Sequence, residues 1–176
     1  MIKRRPSKQI YVGGVPIGGD APITVQSMTN TKTSDVAATV GQIERLAQAG
    51  CELVRVAVPD MEAAQAIRPI RDQIHLPLIV DIHFDARLAI AAIEHGAQAV
   101  RLNPGNLGGK QKLAMVVAAA RAHAIPIRVG VNSGSIAKDL LTRFGYPTPE
   151  HPEALIESAL ENVRSLERLG FSDIRI

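Results

Sequence analysis

Short apolar runs recur along the chain, with longer segments of mixed polarity between them. The runs near 23–28, 51–58, 77–83, 99–103, 126–132 and 173–176 are rich in Val, Ile and Leu, the composition of buried strands. Between them, 35–49, 60–74, 85–95 and 108–123 carry Ala, Leu, Ile and Met at helical spacing, with charges on the remaining positions. Gly50, Gly96 and Gly170 each fall just before the next strand, where a helix ends most easily on a residue that tolerates positive φ. The crossover 133–172 is longer and predicts two helices split by "GYPTPEHP". "IYVGGVPIGGDAP" near the start predicts a hairpin or turn.

Strand, helix and strand in unbroken succession predict a parallel sheet with right-handed crossovers. That leaves a (β/α) barrel or an open doubly wound sheet. No GxGxxG turn follows the first strand, which argues against the dinucleotide-binding version. The expected fold class is α/β, an incomplete TIM barrel of about six of the usual eight strands. Residues 1–22 are expected to form a tail and hairpin, and 23–176 the partial barrel. Ending at "DIRI" is an awkward place for a closed barrel, and the chain is expected to be a fragment.

In a strand, alternate side chains face opposite sides of the sheet. Applied here, one parity is always apolar: Val54, Val56 and Val58; Leu78, Val80 and Ile82; Val100 and Leu102; Ile127, Val129 and Val131; Ile174 and Ile176. The other parity carries Arg55, Asp81, His83, Arg101, Asn103, Arg128, Asn132 and Arg175. Helices pack on the apolar face, so the polar face should point into the lumen, with His83, Asn103 and Asn132 nearest the carboxyl ends of their strands. Active sites of such barrels lie at that end. Four arginines against one carboxylate make a cavity that calls for an anion, and a guanidinium fork matches paired phosphate oxygens. The plainer alternative is that each Arg pairs with a loop carboxylate or reaches solvent at the barrel mouth.

Two loops support the anion reading. "VNSGS" follows the fifth strand, and "NPGNLGGK" follows the fourth and brings Lys110. Neither is a P-loop, and turn and cap chemistry alone would also account for both. His75, His95, His123 and His151 fall at helix ends or in loops and are expected to be structural or solvated. Asp81 and His83 share a face but have no third ligand there, which speaks against a metal site.

Composition narrows the classes. The formal net charge is +3, but Lys3, Arg4, Arg5 and Lys8 stand in the first nine residues, leaving the remainder close to neutral. Aromatics are 3% with no Trp, a poor match to nucleic-acid binding. The single Cys51 has no disulfide partner in the chain, and no segment approaches membrane-spanning length, so a cytoplasmic protein is expected.

Together, "VQSMTNTKTSD", "CELVRVAVP", "DIHFD", "VRLNPGNLG" and "IRVGVNSGS" resemble the 4-hydroxy-3-methylbut-2-enyl diphosphate synthase family, in order and over nearly all of the chain. The resemblance implies reductive opening of 2-C-methyl-D-erythritol 2,4-cyclodiphosphate, with a [4Fe-4S] cluster fed by flavodoxin or ferredoxin. It implies a barrel that binds the cyclic diphosphate, a C-terminal domain that carries the cluster on three cysteines and a glutamate, and a head-to-tail homodimer. The family's strand arginines fall on Arg55, Arg101 and Arg128, with Asn132 beside them and Asp81 and His83 in "DIH". Neither that domain nor those cysteines occur in these 176 residues, so the chain alone is expected to retain part of the anion pocket and not to catalyse the reduction. Two other readings stay open on the residues: another phosphate-handling barrel of the dihydropteroate synthase kind, and a non-enzymatic anion-binding or assembly module.

Overall fold

The computed structural model describes residues 5–149 and 151–176. Lys3 and Arg4 of the basic tail and Glu150 within "GYPTPEHP" lie outside the described residues. Two short strands, β1 (Ile10–Val12) and β2 (Val15–Ile17), pair antiparallel. Their turn is Gly13–Gly14, with φ of +53° and +92°, a backbone that two glycines adopt without strain.

Six further strands form one parallel sheet: β3 (Gln26–Met28), β4 (Leu53–Ala57), β5 (Leu78–Asp81), β6 (Ala99–Leu102), β7 (Ile127–Val129) and β8 (Ile174–Arg175). Their spatial order equals their order in the chain. A doubly wound sheet reverses direction at a switch point, whereas a barrel winds one way only, and this sheet winds one way.

The crossovers are α1 (Val36–Gln48), α2 (Met61–Arg71), α3 (Ala86–Glu94) and α4 (Lys110–Ala122), then the pair α5 (Lys138–Phe144) and α6 (Glu153–Glu167). Asp35, Asp60 and Asp85 start the first three by accepting from the backbone N–H of Ala38, Ala63 and Arg87 at 2.9–3.0 Å. The hydrophobic runs overestimate strand length at both edges of the sheet. The run 23–28 yields only Gln26–Met28, and Ile23 stays 81% exposed, because β3 has a neighbour on one side alone.

The parity of the strands sorts the core. Val54, Val56, Leu78, Val80, Val100, Leu102, Ile127 and Val129 pack outward against helix residues such as Ile43, Ile67, Ile93 and Val116. Leu53, Ile79 and Ala99 lie on the opposite face at the amino ends of their strands, and Val12 of the hairpin closes over them. The inner face therefore has an apolar floor plugged by β1–β2, and the charged residues come one step further along each strand.

Candidate functional site

Parallel register lines the charged residues up. Asp81 is the ladder partner of Arg101, Arg101 of Arg128, and Arg128 of Arg175. Arg55 sits opposite Met28 and donates from Nε to its sulfur at 3.2 Å. The buried Asp81 carboxylate serves two of the four arginines. Its Oδ1 accepts from Arg101 Nη1 at 3.0 Å, and its Oδ2 lies 3.6 Å from Arg55 Nε. Arg175 reaches from the last strand to the first, where Gln26 Oε1 accepts from its Nη1 at 3.2 Å. Gln26 thus helps position the row although it carries no charge.

Arg128 has no hydrogen bond or ion pair through its guanidinium among the described residues. Burial, and then repulsion from Arg175, Arg55 and Arg101, push its pKa below the ordinary arginine value, with Asp81 opposing. Burial followed by repulsion from Arg55 lowers that of Arg175. In both cases burial is the larger cause and repulsion between neighbouring guanidinium groups the smaller, and Asp81 opposes the shift only at Arg128.

Gly130 explains how Arg101 fits. A Cβ at Gly130 would collide with the Nε, Cζ and Nη2 atoms of Arg101, so the guanidinium lies flat over a position that must lack a side chain. Gly130, two residues beyond Arg128, falls on the arginine face by strand parity. The need for glycine there comes from the neighbouring strand's side chain, which no local pattern reports.

The three residues expected near the mouth behave differently. His83 is exposed, with Nε2 4.0 Å from Asp81 Oδ1, and Phe84 beside it is 72% exposed. Asn132 is exposed at the end of β7, where its backbone N–H donates to Ser135 Oγ and its carbonyl accepts from Ser135 N–H. Asn103 turns away to a 3-10 turn over Pro104–Asn106, where its Oδ1 accepts from Gly105 N–H at 3.1 Å. Asn162 of α6 accepts from the same N–H at 3.0 Å. Asn103 thus spends its Oδ1 on the turn, while its Nδ2 has no hydrogen-bond partner among the described residues. His95 and His123 end α3 and α4, and His95 Nδ1 contacts the Ala91 carbonyl oxygen at 2.7 Å.

An iron–sulfur cluster does not fit the residues present. Clusters take several thiolates. The chain has one cysteine, and Cys51 Sγ is buried and donates to the Leu53 carbonyl at 2.9 Å. No group of three His, Cys, Asp or Glu side chains suited to a metal occurs among the described residues. No helix among them is long and apolar enough to cross a membrane.

A family model described as the GcpE TIM-barrel domain matches residues 7–176. The chain belongs to that family. It is 61% identical over 176 residues to 4-hydroxy-3-methylbut-2-en-1-yl diphosphate synthase (flavodoxin) of Desulfotalea psychrophila, covering 100% of this chain and 48% of that protein. To the enzyme of the same name from Pseudomonas putida (strain W619) it is 55% identical over 175 residues, 99% of this chain and 47% of that one. The chain therefore spans about half the length of the curated relatives it matches. Among solved structures it resembles the 7,8-dihydropteroate synthase of Vibrio fischeri, with a TM-score of 0.65 at 13% identity over 96% of this chain and 65% of that chain. The dihydropteroate synthase of Xanthomonas albilineans in complex with 7,8-dihydropteroate gives 0.65 at 20% identity, over 95% and 62%. At such identities the likeness shows the barrel fold alone.

Proposed function

We propose that this chain is the substrate-binding barrel of a 4-hydroxy-3-methylbut-2-enyl diphosphate synthase, and that its arginine row holds 2-C-methyl-D-erythritol 2,4-cyclodiphosphate. The observation that carries this is Arg128, a partly buried guanidinium among three others with no partner of its own. Phosphate oxygens supply the missing acceptors, and their charge offsets the excess that Asp81 leaves. Arg101 and Arg128, on adjacent strands and in register, present two forks side by side to a cyclic diphosphate. Asp81 fixes Arg101 and Arg55, and Gln26 fixes Arg175, so the donors are oriented before the ligand arrives. His83 and Asn132 are exposed beyond the ends of their strands, and the same reading gives them contacts to the rim of the ligand. Asn103 supports the turn beside the pocket.

The same reading gives the full-length protein a [4Fe-4S] cluster whose ligands lie outside these 176 residues, electrons from flavodoxin or ferredoxin, a homodimer, and a cytoplasmic location. The cluster would supply the electrons for reductive ring opening. The residues described here bind and orient the diphosphate. The hairpin β1–β2 serves as the floor plug, and 23–176 as the substrate barrel. Support for the extension is the identity to enzymes named for flavodoxin.

Titration calorimetry with the cyclodiphosphate tests the reading. Wild-type chain should bind, and Arg128→Ala should weaken binding by at least about tenfold, the loss of one charge-assisted contact. Equal affinities in the two proteins would refute it.

A further inference from the structure

The two glycine-rich loops singled out in the sequence do not serve the arginine row alone. "NPGNLGGK" and "VNSGS" converge on a separate cavity of about 700 Å³, closed on its far side by α6. Lys110, Lys138 and Arg168 line it, together with one carboxylate, Glu161. Leu113, Ile136 and Leu169 give it an apolar wall. Volumes of this size, with apolar walls and a few polar groups, are those of small-molecule sites.

We infer that this cavity is a second anion site, taking a small organic phosphate with an apolar body. Four observations converge on it. Among the described residues, none of Lys110, Lys138 and Arg168 has a carboxylate within 4.0 Å, so three cations face one acid without internal neutralisation. Asn103, 96% buried, stands in the wall with its Oδ1 used by Gly105 and its Nδ2 without any hydrogen-bond partner. A buried amide donor left unpaired is costly and rare, and a ligand oxygen is an acceptor of the right kind. The thirteen-residue helix α4 opens on this cavity at Gly109, with no side-chain cap and no acid in its first turn, so its leading N–H groups remain available. Finally, the apolar wall gives a non-phosphate portion somewhere dry to rest, which inorganic phosphate could not use.

None of Arg55, Arg101, Arg128 and Arg175 lines this cavity, so the two sites can fail separately. Amide NMR titration of the 176-residue chain with n-butyl phosphate, and with inorganic phosphate alongside, reads both location and affinity. Butyl phosphate should shift the amides of Gly109, Lys110 and Ser135 and bind several-fold more tightly than inorganic phosphate. The double variant Lys110→Ala/Lys138→Ala changes two exposed side chains, so its spectrum should keep the native dispersion while its affinity for butyl phosphate falls at least about tenfold. Arg128→Ala should leave butyl phosphate binding at this cavity unchanged. Shifts confined to β6 and β7, no saturable binding at millimolar concentration, equal affinity for the two phosphates, or an unaffected double variant would each overturn the inference.

Discussion

Arg101 donates to Asp81 at 3.0 Å, and this is the one hydrogen bond between the arginine row and a carboxylate among the described residues. Asp81 is 4% exposed and also faces Arg55 across 3.6 Å, so a single buried negative charge anchors two guanidinium groups. Removing one member of a buried ion pair leaves the other uncompensated, at a cost of about 3–5 kcal/mol. Asp81→Asn should therefore lower the unfolding free energy by about 3 kcal/mol in urea denaturation. Pyrophosphate should restore more stability to the variant than it adds to wild type, because the variant pocket is more positive.

Gly130→Ala places a methyl group where the Arg101 guanidinium lies. The arginine must swing away and surrender Asp81, so the substitution should cost about 2 kcal/mol, within the range for overpacking. In an Arg101→Ala background the same change should cost much less. A double-mutant cycle by thermal unfolding measures that coupling, and additive effects would contradict the contact.

Strand parity was legible in the sequence because the two-residue period is a property of the extended chain and needs no tertiary information. It put Arg55, Asp81, Arg101, Arg128 and Arg175 on one face, and the register of the parallel ladder keeps them there. Parity stops applying where the strand stops. Asn103 lies just beyond β6, and its side chain follows the 3-10 turn instead of the sheet. Asn132 likewise begins the turn over Ser133–Ser135. Contacts between strands, such as Gly130 under Arg101 or Gln26 with Arg175 at a separation of 149 residues, leave no mark in either local segment. The hairpin itself was legible from its paired glycines, but its place as the floor of the lumen depends on Val12 meeting Leu53, Ile79 and Ala99 from three different strands.

That floor gives a third prediction. Val12 is 1% exposed, and its truncation leaves a small cavity under the charged layer. Val12→Ala should cost about 1–2 kcal/mol, between the usual penalties for losing one buried methyl and a whole leucine side chain. Hydrogen exchange should then rise first in the amino-terminal turns leading into β4, β5 and β6. A uniform rise over the whole sheet would instead mean that the hairpin is not a local plug.

The central claim is that Arg128 is held for a ligand and not for the fold. Its removal relieves repulsion from Arg55, Arg101 and Arg175, partly screened by water at the open mouth. The most direct measurement is the thermal midpoint of wild type and Arg128→Ala, each with and without saturating 2-C-methyl-D-erythritol 2,4-cyclodiphosphate. Without ligand the variant should melt about 2 °C higher than wild type, a gain of under about 1 kcal/mol. With ligand the order should invert, because only wild type keeps the full stabilisation by binding. A variant that melts lower on its own and gains as much from the ligand as wild type would contradict the account.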